Sequence, residues 1–186
     1  MRRRSPGANR LAVEHSPDTK TISRTAEAQG ICLRLLTVRP HSRAELAEEL
    51  CRRGIPEGIS EPVLDRLSQL GLVNDTAFAE SAVHSEHRHR GLSRRALSIG
   101  LRRRGVPDEI VREAVATIGP EDEEQRAREL VRRKLRTHTV RDARTLARKL
   151  GGMLARRGYS EELAWRVIRD ELGQGEWPTE IESCPD

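Results

Sequence analysis

The sequence predicts an all-α protein built as an elongated tandem array of three three-helix repeats. The first observation is a short segment that occurs three times, as LCRRGIP, LRRRGVP and LARRGYS, with glycines 51 and 53 residues apart. The second is composition: 34% of residues are charged, 35% hydrophobic and 2% aromatic, so a core must use small aliphatic side chains. The third is that no stretch alternates apolar and polar residues as a half-buried strand does.

Each repeat glycine is predicted to end a helix. Helices commonly stop at a left-handed residue, a conformation that glycine adopts without a Cβ penalty. The two arginines before each glycine lie near the partly negative carbonyl end of that helix. Pro56 and Pro107 are expected as first residues of the next helix, and Ser160 as its cap. Pro62 predicts that the regular helix after Pro56 begins only near residues 60–63.

Apolar residues at four-residue spacing surround each glycine. Leucines precede it by eight and four positions: Leu46, Leu97 and Leu150, then Leu50, Leu101 and Leu154. Apolar residues also follow it by one, five and nine positions, so each repeat contains two helices whose apolar faces meet. A further helix precedes each pair, with apolar residues such as Ile31, Phe78 and Leu130. Ser42 and Glu45 predict a capping box, and Asp75 lies at a predicted helix start.

These elements divide the chain into five segments. We predict a disordered arm at residues 1–26, repeats at 27–73, 74–119 and 120–173, and a disordered tail at 174–186. The arm and the tail lack apolar periodicity, which is typical of segments that cannot build a core. A unit of this size is marginal in isolation, so neighbouring units are expected to stack along the chain.

Positive charge is concentrated in the middle of the chain. Residues 84–157 contain 20 Lys and Arg against 10 Asp and Glu, whereas residues 158–186 contain 2 against 8. A localised basic region favours a polyanionic partner, either a nucleic acid or an acidic protein surface. A solvated arginine-rich surface without a ligand is the alternative that the sequence leaves open. The scarcity of aromatic side chains argues against recognition by base stacking.

The candidate binding residues are the basic residues of the middle repeat and of the start of the third. They are Arg88, Arg90, Arg94, Arg95, Arg102, Arg103, Arg104, Arg132, Arg133, Lys134 and Arg136. The residues expected to shape the repeats are Gly54, Gly105, Gly158, Leu50, Leu101, Leu154, Asp75 and Phe78. Guanidinium groups bind phosphate and carboxylate alike, so the class of ligand stays open.

The sequence contains no pattern of a catalytic or cofactor site. It lacks a GxxxxGK[ST] phosphate loop, a GxSxG elbow and an HExxH zinc motif, so we predict a protein without catalysis or cofactor. His84, His87 and His89 form the densest set of potential ligands, but neighbouring arginines disfavour a cation, and we predict no metal. The three cysteines indicate no disulfide framework, so we expect a cytoplasmic protein. No apolar run reaches the length of a membrane span.

Two segments carry a resemblance to a known family. They are LDRLSQLGLVNDTAFAESAV at residues 64–83 and RGLSRRALSIGLRRRGVP at residues 90–107. The sequence resembles the RecX family of bacterial regulatory proteins, and in particular its actinobacterial members, over residues 28–172. The matching positions are Leu67, Gly71, Leu72, Val73, Asp75, Phe78, Ala79, Gly91, Leu101 and Gly105. Asn74 replaces the usual first aspartate of the pattern, and asparagine can also cap a helix.

The resemblance implies an all-helical array of three-helix repeats that binds the RecA recombinase filament on single-stranded DNA. It further implies inhibition of DNA-dependent ATP hydrolysis, of strand exchange and of the coprotease role that triggers the SOS response. No catalytic residues follow from it, and a weak direct contact with DNA stays open. We predict a monomer. The alternative is a helix-turn-helix DNA-binding transcriptional regulator, because a three-helix unit is also the plan of such domains.

Overall fold

The computed structural model describes residues 19–137 and 143–173, and within these ranges it contains nine α-helices, one π-helical turn and no strand. Unit 1 contains α1 (Thr19–Val38), α2 (Arg43–Arg52) and α3 (Glu57–Gln69). Unit 2 contains α4 (Asp75–Ser85), the π-helical turn (Glu86–Arg90), α5 (Arg94–Arg103) and α6 (Asp108–Ala116). Unit 3 contains α7 (Pro120–Arg136), α8 (Ala143–Ala155) and α9 (Glu161–Leu172). The predicted all-α array of three-helix repeats is confirmed.

The first helix begins earlier than predicted. Because α1 starts at Thr19, residues 19–26 are helical, and their assignment to the disordered arm is wrong. These first turns pack little apolar surface, and Ile22 is 57% exposed, so the sequence gives no periodic signal there. The rest of the predicted arm and the whole predicted tail lie outside the described residues.

Each unit has its own hydrophobic core, and the extensive helix contacts lie within units. The leucines four residues before the repeat glycines, Leu50, Leu101 and Leu154, are 0%, 2% and 0% exposed. The leucines that precede the glycines by eight positions, Leu46, Leu97 and Leu150, are equally buried. Phe78 packs in the core of unit 2, as predicted. The four-residue spacing therefore identifies the buried faces of both helices in every repeat.

The three repeat glycines end their helices in the same way. Their φ angles are 75°, 71° and 83°, which is the left-handed region that glycine tolerates best. In each case the amide after the glycine donates to the carbonyl of the leucine four residues before it, with N···O distances of 3.0–3.2 Å. This is a Schellman end, in which the residue after the glycine also covers the last apolar turn. The predicted role of the glycines is confirmed.

Proline positions differ from the prediction in two details. Pro56 and Pro107 are the caps that precede the third helices of units 1 and 2, rather than their first residues. Pro62 lies inside α3, which already begins at Glu57, so the predicted loose opening is wrong. A proline ring crowds the carbonyl four residues earlier, and here that residue is Gly58. Early helix hydrogen bonds form without Pro62, including one from the Ser60 amide to the Pro56 carbonyl at 3.0 Å.

The joint between units 1 and 2 is built on the N-terminus of α2. The Ser42 hydroxyl is buried and donates to the Arg104 carbonyl of unit 2 at 2.6 Å. The Arg43 amide donates to the Asp75 carboxylate at 2.8 Å. A Cβ on Gly105 would clash with the Ala44 side chain, so the glycine turn of unit 2 lies directly on α2. Asp75 thus connects two units, while Asn74 caps its helix.

The joint between units 2 and 3 repeats this arrangement on α5. The buried Ser93 donates its amide to the Arg157 carbonyl at 3.0 Å, and the Arg94 amide donates to the Glu123 carboxylate at 2.8 Å. A Cβ on Gly158 would lie 2.6 Å from the Ser93 hydroxyl, so this glycine turn also lies against the preceding unit. The repeat glycines of units 2 and 3 therefore have a second task, since they allow neighbouring units to approach closely.

Candidate functional site

Two predicted binding arginines of unit 2 are engaged by one carboxylate. Arg104 donates to Glu86 at 2.6 Å, and its guanidinium carbon lies 5.9 Å from the centre of the Phe78 ring. Arg90 lies 3.6 Å from the other oxygen of Glu86. These internal contacts hold the π-helical turn against α4 and α5. Arg90 and Arg104 therefore have a structural task in the free protein.

Two further candidates are also paired. Arg102 donates to Asp108 on the next helix at 2.6 Å. Arg132 donates to Glu171 on α9 at 2.7 Å, and this hydrogen bond holds the pKa of the Glu171 carboxyl below its ordinary value. Arg132 thereby belongs to the ion-pair network between α7 and α9, which includes Arg128. The predicted binding residues thus fall into two groups, those that form ion pairs within the protein and those that do not.

Six candidates are exposed and have no side-chain ion pair within residues 19–137 and 143–173. They are Arg88, Arg95, Arg103, Arg133, Lys134 and Arg136. Arg95 and Arg103 lie on one stripe of α5, at four-residue spacing on either side of Ile99, which is 41% exposed. Arg94 differs from all of these, because it is partly buried and its Nε has no hydrogen-bond partner in the described structure.

The π-helical turn is fixed between units 2 and 3 by arginines of unit 3. Arg126 donates from Nε to the His87 carbonyl at 3.1 Å and also donates to the Arg88 carbonyl. Arg157 donates from Nε to the Arg90 carbonyl at 3.2 Å. These bonds use only backbone oxygens, so the Arg88 side chain is left exposed at the joint. A π-helical turn placed this way is a common means of presenting side chains at a functional position.

Three further arginines, in α8 and the turn after it, were not among the predicted binding residues. Arg148 and Arg156 stand ten and two residues before Gly158, as Arg95 and Arg103 stand before Gly105. Both are exposed and have no ion pair among the described residues. The repeat alignment was sufficient to find them. Arg157 is partly buried at the joint itself.

Electrostatics at this joint are strongly positive. The pKa of Arg157 lies below its ordinary value, mainly because the guanidinium is partly buried and then because Arg133, Arg156 and Arg126 surround it. These arginines come from α7 and from the turn after α8, so the fold brings them together from distant positions in the sequence. Helix α5 reaches this region, because a Cβ on Gly158 would lie 2.8 Å from the Ala96 side chain, the residue after Arg95. We give the name basic strip to a set of exposed or partly buried arginines of α5, α7, α8 and the turn after α8; its members are Arg95, Arg103, Arg133, Arg148, Arg156 and Arg157.

Neither a metal-binding cluster nor a membrane-spanning helix occurs in the described part of the chain. Residues 19–137 and 143–173 contain no group of three or more His, Cys, Asp or Glu side chains arranged to hold a metal ion. His87 instead forms a 2.8 Å hydrogen bond through Nδ1 to the Leu92 carbonyl. None of the helices in these ranges combines the length and the apolar character that crossing a bilayer requires.

Comparison with known proteins matches all three units. Models of the first, second and third RecX three-helix domains match residues 28–67, 74–115 and 121–168. The regulatory protein RecX of Thermobifida fusca is 51% identical over 147 residues, which cover 79% of this chain and 80% of that protein. The regulatory protein RecX of Mycolicibacterium smegmatis is 45% identical over 163 residues, which cover 86% of each chain.

Solved structures support the same architecture. The crystal structure of RecX from Lactobacillus salivarius superposes with a TM-score of 0.67 at 18% identity, covering 80% of this chain and 97% of that one. A second crystal structure, of a regulatory protein RecX, superposes with a TM-score of 0.69 at 23% identity, covering 87% and 83%. At these identities the structures show the fold alone. Together with the sequence matches, they establish that this chain belongs to the RecX family of regulatory proteins.

Proposed function

We propose that this chain is a non-catalytic regulator that binds the RecA filament on single-stranded DNA. In this proposal it inhibits the filament's ATP hydrolysis, strand exchange and coprotease activity, and so modulates recombination, DNA repair and the SOS response. The observation that carries the proposal is the basic strip, whose members lie in two adjacent units. All of them except Arg157 are exposed and have no ion pair within the described ranges. The proposed regulator acts as a cytoplasmic monomer without a cofactor.

The architecture supports a long partner rather than a small ligand. Each unit has a separate core, and the joints are formed by a few hydrogen bonds and close glycine contacts. Arrays of this kind present extended surfaces, because each unit contacts only its neighbours. A nucleoprotein filament offers both phosphates and acidic side chains along its length, and guanidinium groups bind either of them.

The charge of the third helices argues against the helix-turn-helix alternative. In that plan the last helix of the unit enters the major groove and needs positive or neutral polar residues facing the bases. Here α3 carries Glu57, Glu61 and Asp65, and α6 carries Asp108, Glu109 and Glu113. The helix α9 carries Glu161, Glu162, Asp170 and Glu171. Acidic helices at all three recognition positions disfavour duplex binding of this type.

The direct test combines the purified protein with RecA, single-stranded DNA and ATP. We expect suppression of DNA-dependent ATP hydrolysis and co-sedimentation with the preformed filament. Naked duplex DNA is the control for the alternative function, and we expect weaker binding to it at the same salt concentration, because salt weakens pure phosphate contacts steeply. Undiminished hydrolysis together with tight, sequence-dependent duplex binding would reject the proposal and favour a transcriptional regulator.

A further inference from the structure

Arg43 and Arg94 occupy the same position in units 1 and 2. Each stands eleven residues before its repeat glycine and is the first residue of the second helix. Each donates its amide to a carboxylate of the following unit, at 2.8 Å in both joints. Both side chains are partly buried. The two arginines can therefore be compared as one structural position in two chemical environments.

In unit 1 this arginine is neutralised inside the protein. Arg43 donates to Glu61 at 2.5 Å and approaches Asp65 at 2.8 Å, both on α3. Burial lowers the pKa of Arg43, but the hydrogen bonds to the two carboxylates outweigh it, and the pKa is raised overall. The guanidinium has no need of an external ligand here.

In unit 2 the two acids are replaced. Seven and eleven residues after Gly105, where unit 1 has Glu61 and Asp65, stand Arg112 and Ala116. The helices α5 and α6 contact each other, as α2 and α3 do. The repeat register therefore gives Arg112 the position from which Glu61 reaches Arg43 in unit 1. The Arg94 Nε is buried and has no hydrogen-bond partner in the described structure. Neither arginine side chain has an ion pair within the described ranges. An unpaired donor at this depth is costly unless a ligand satisfies it.

We propose that Arg94 and Arg112 form a binding site for a phosphate group between α5 and α6. Two guanidinium groups supply forked donors that match phosphate oxygens, and a phosphate takes the place that the two carboxylates hold in unit 1. Glu109 and Glu113 flank Arg112 along α6 and weaken the site for a single free anion. A phosphate in a polymer is bound better, because Arg95 of the basic strip follows Arg94 directly. The preference for a phosphate within a polymer over a free phosphate ion is the only part of this inference that rests on the proposed function.

The substitution Arg112→Glu recreates the arrangement of unit 1, and this makes the site testable without RecA. Thermal unfolding is followed by circular dichroism in chloride and in inorganic phosphate at equal ionic strength. In chloride we expect Arg112→Glu to raise the melting temperature, because Arg94 gains an internal partner. Phosphate should stabilise the wild type by about 2–4 °C more than it stabilises Arg112→Glu. Arg66→Glu is the matched control, since Arg66 lies exposed on the third helix of unit 1 and has no ion pair within the described ranges.

A second arm uses single-stranded oligothymidylate to identify the source of the phosphate. Each contact with a single strand contributes about 0.7 to the slope of log affinity against log salt. Arg94→Gln and Arg112→Gln should each lower this slope by up to about that amount, while Arg112→Lys and Arg66→Gln should retain it. If phosphate raises the melting temperature of the wild type as expected, but Arg94→Gln and Arg112→Gln leave the salt slope of oligothymidylate binding unchanged, the site binds free phosphate.

The result that overturns the inference is an equal phosphate increment for the wild type and for Arg112→Glu, since general salt effects act on both alike. A phosphate increment that falls in the Arg66→Glu control as much as in Arg112→Glu also overturns it, because that control leaves Arg94 and Arg112 in place. Because these measurements contain no recombinase, they can reject the phosphate site while filament inhibition is still observed. They can equally support the phosphate site while filament inhibition is absent.

Discussion

Units 1 and 2 have the same helical plan but opposite surface chemistry. Both end their second helix with a glycine Schellman turn over a buried leucine, and both use a serine at the start of that helix to hold the next unit. On the outer side of the second helix, however, unit 1 has Glu48 and Arg52 where unit 2 has Ile99 and Arg103. The position of Arg95 is taken in unit 1 by Ala44, which packs against the Gly105 turn. Arg52 is paired with Glu49, whereas Arg95 and Arg103 have no ion pair in the described structure.

The comparison teaches that folding and binding are determined by different positions of one repeat. Glycine turns, caps and leucines recur because every unit needs them to close its core and to contact its neighbour. The exposed stripe is under no such constraint, so its charge can differ between units without altering the fold. An arginine that pairs with a carboxylate of its own unit has its charge neutralised there. An arginine without such a carboxylate is available for a ligand.

Burying a charge at the common core position should break both units alike. Leu101→Asp and Leu50→Asp each place a carboxylate at a site that is 2% or 0% exposed. We expect each to cost on the order of 4 kcal/mol of unfolding free energy. Circular dichroism during denaturant unfolding measures this loss. A folded, fully stable Leu101→Asp variant would contradict the assignment of this residue to the core.

Replacing a repeat glycine by alanine should cost more stability in unit 2 than in unit 1. Gly54→Ala meets only the penalty of a left-handed φ of 75°, since its Cβ would have no neighbour within 4 Å, and should cost about 1–2 kcal/mol. Gly105→Ala meets the same penalty and also a clash with Ala44 across the joint. We expect it to cost about 1–2 kcal/mol more, measured by chemical denaturation. Equal costs for the two variants would show that the joint does not depend on close approach at Gly105.

Removing the joint serines should distinguish the two joints. The Ser42 hydroxyl both accepts from the Glu45 amide at 3.1 Å and donates to Arg104, so Ser42→Ala should cost about 2 kcal/mol. The Ser93 hydroxyl accepts from the Ala96 amide at 3.2 Å, while the bond to Arg157 uses the backbone, so Ser93→Ala should cost about 1 kcal/mol. Thermal unfolding of both variants is the measurement. The reverse order of stability would contradict the described geometry.

Acid should loosen the second helix of unit 1 more than that of unit 2. Burial raises the pKa of Glu45, but hydrogen bonds from Arg39 and the Ser42 amide outweigh it, and the pKa lies below the ordinary 4.5. This contribution to stability is therefore present above pH 4.5 and is lost as pH falls through the lowered pKa. Unit 2 has Ala96 at the equivalent position and lacks the capping box.

Hydrogen exchange of the amides of α2 and α5 measures this difference. The protection of α2 should fall more steeply with acid, and Glu45→Gln should flatten that dependence. An identical loss of protection in both helices, unaffected by Glu45→Gln, would speak against a titrating cap in unit 1.

The fold was predictable because its signals are local and repeated. The glycine turns, the Ser42 capping box and the leucine spacing all lie within a few residues of the feature that they specify. The start of α1 was not predictable, because its first turns bury little apolar surface and have no periodicity. The pairing of Arg132 with Glu171 and of Arg104 with Glu86 depends on helices that meet only in the fold. Arg148 and Arg156 were accessible from the repeat alignment alone.

The central claim is that the unpaired arginines of the basic strip, rather than net positive charge, bind the filament. The test is the protein concentration that halves DNA-dependent ATP hydrolysis by RecA, compared between two double variants of equal charge. Arg95→Glu with Arg103→Glu should raise this concentration about tenfold or more, because two contacts become repulsive. Arg52→Glu with Arg66→Glu in unit 1 should change it little. Equal effects of the two double variants, or unchanged inhibition by the first, would contradict the account.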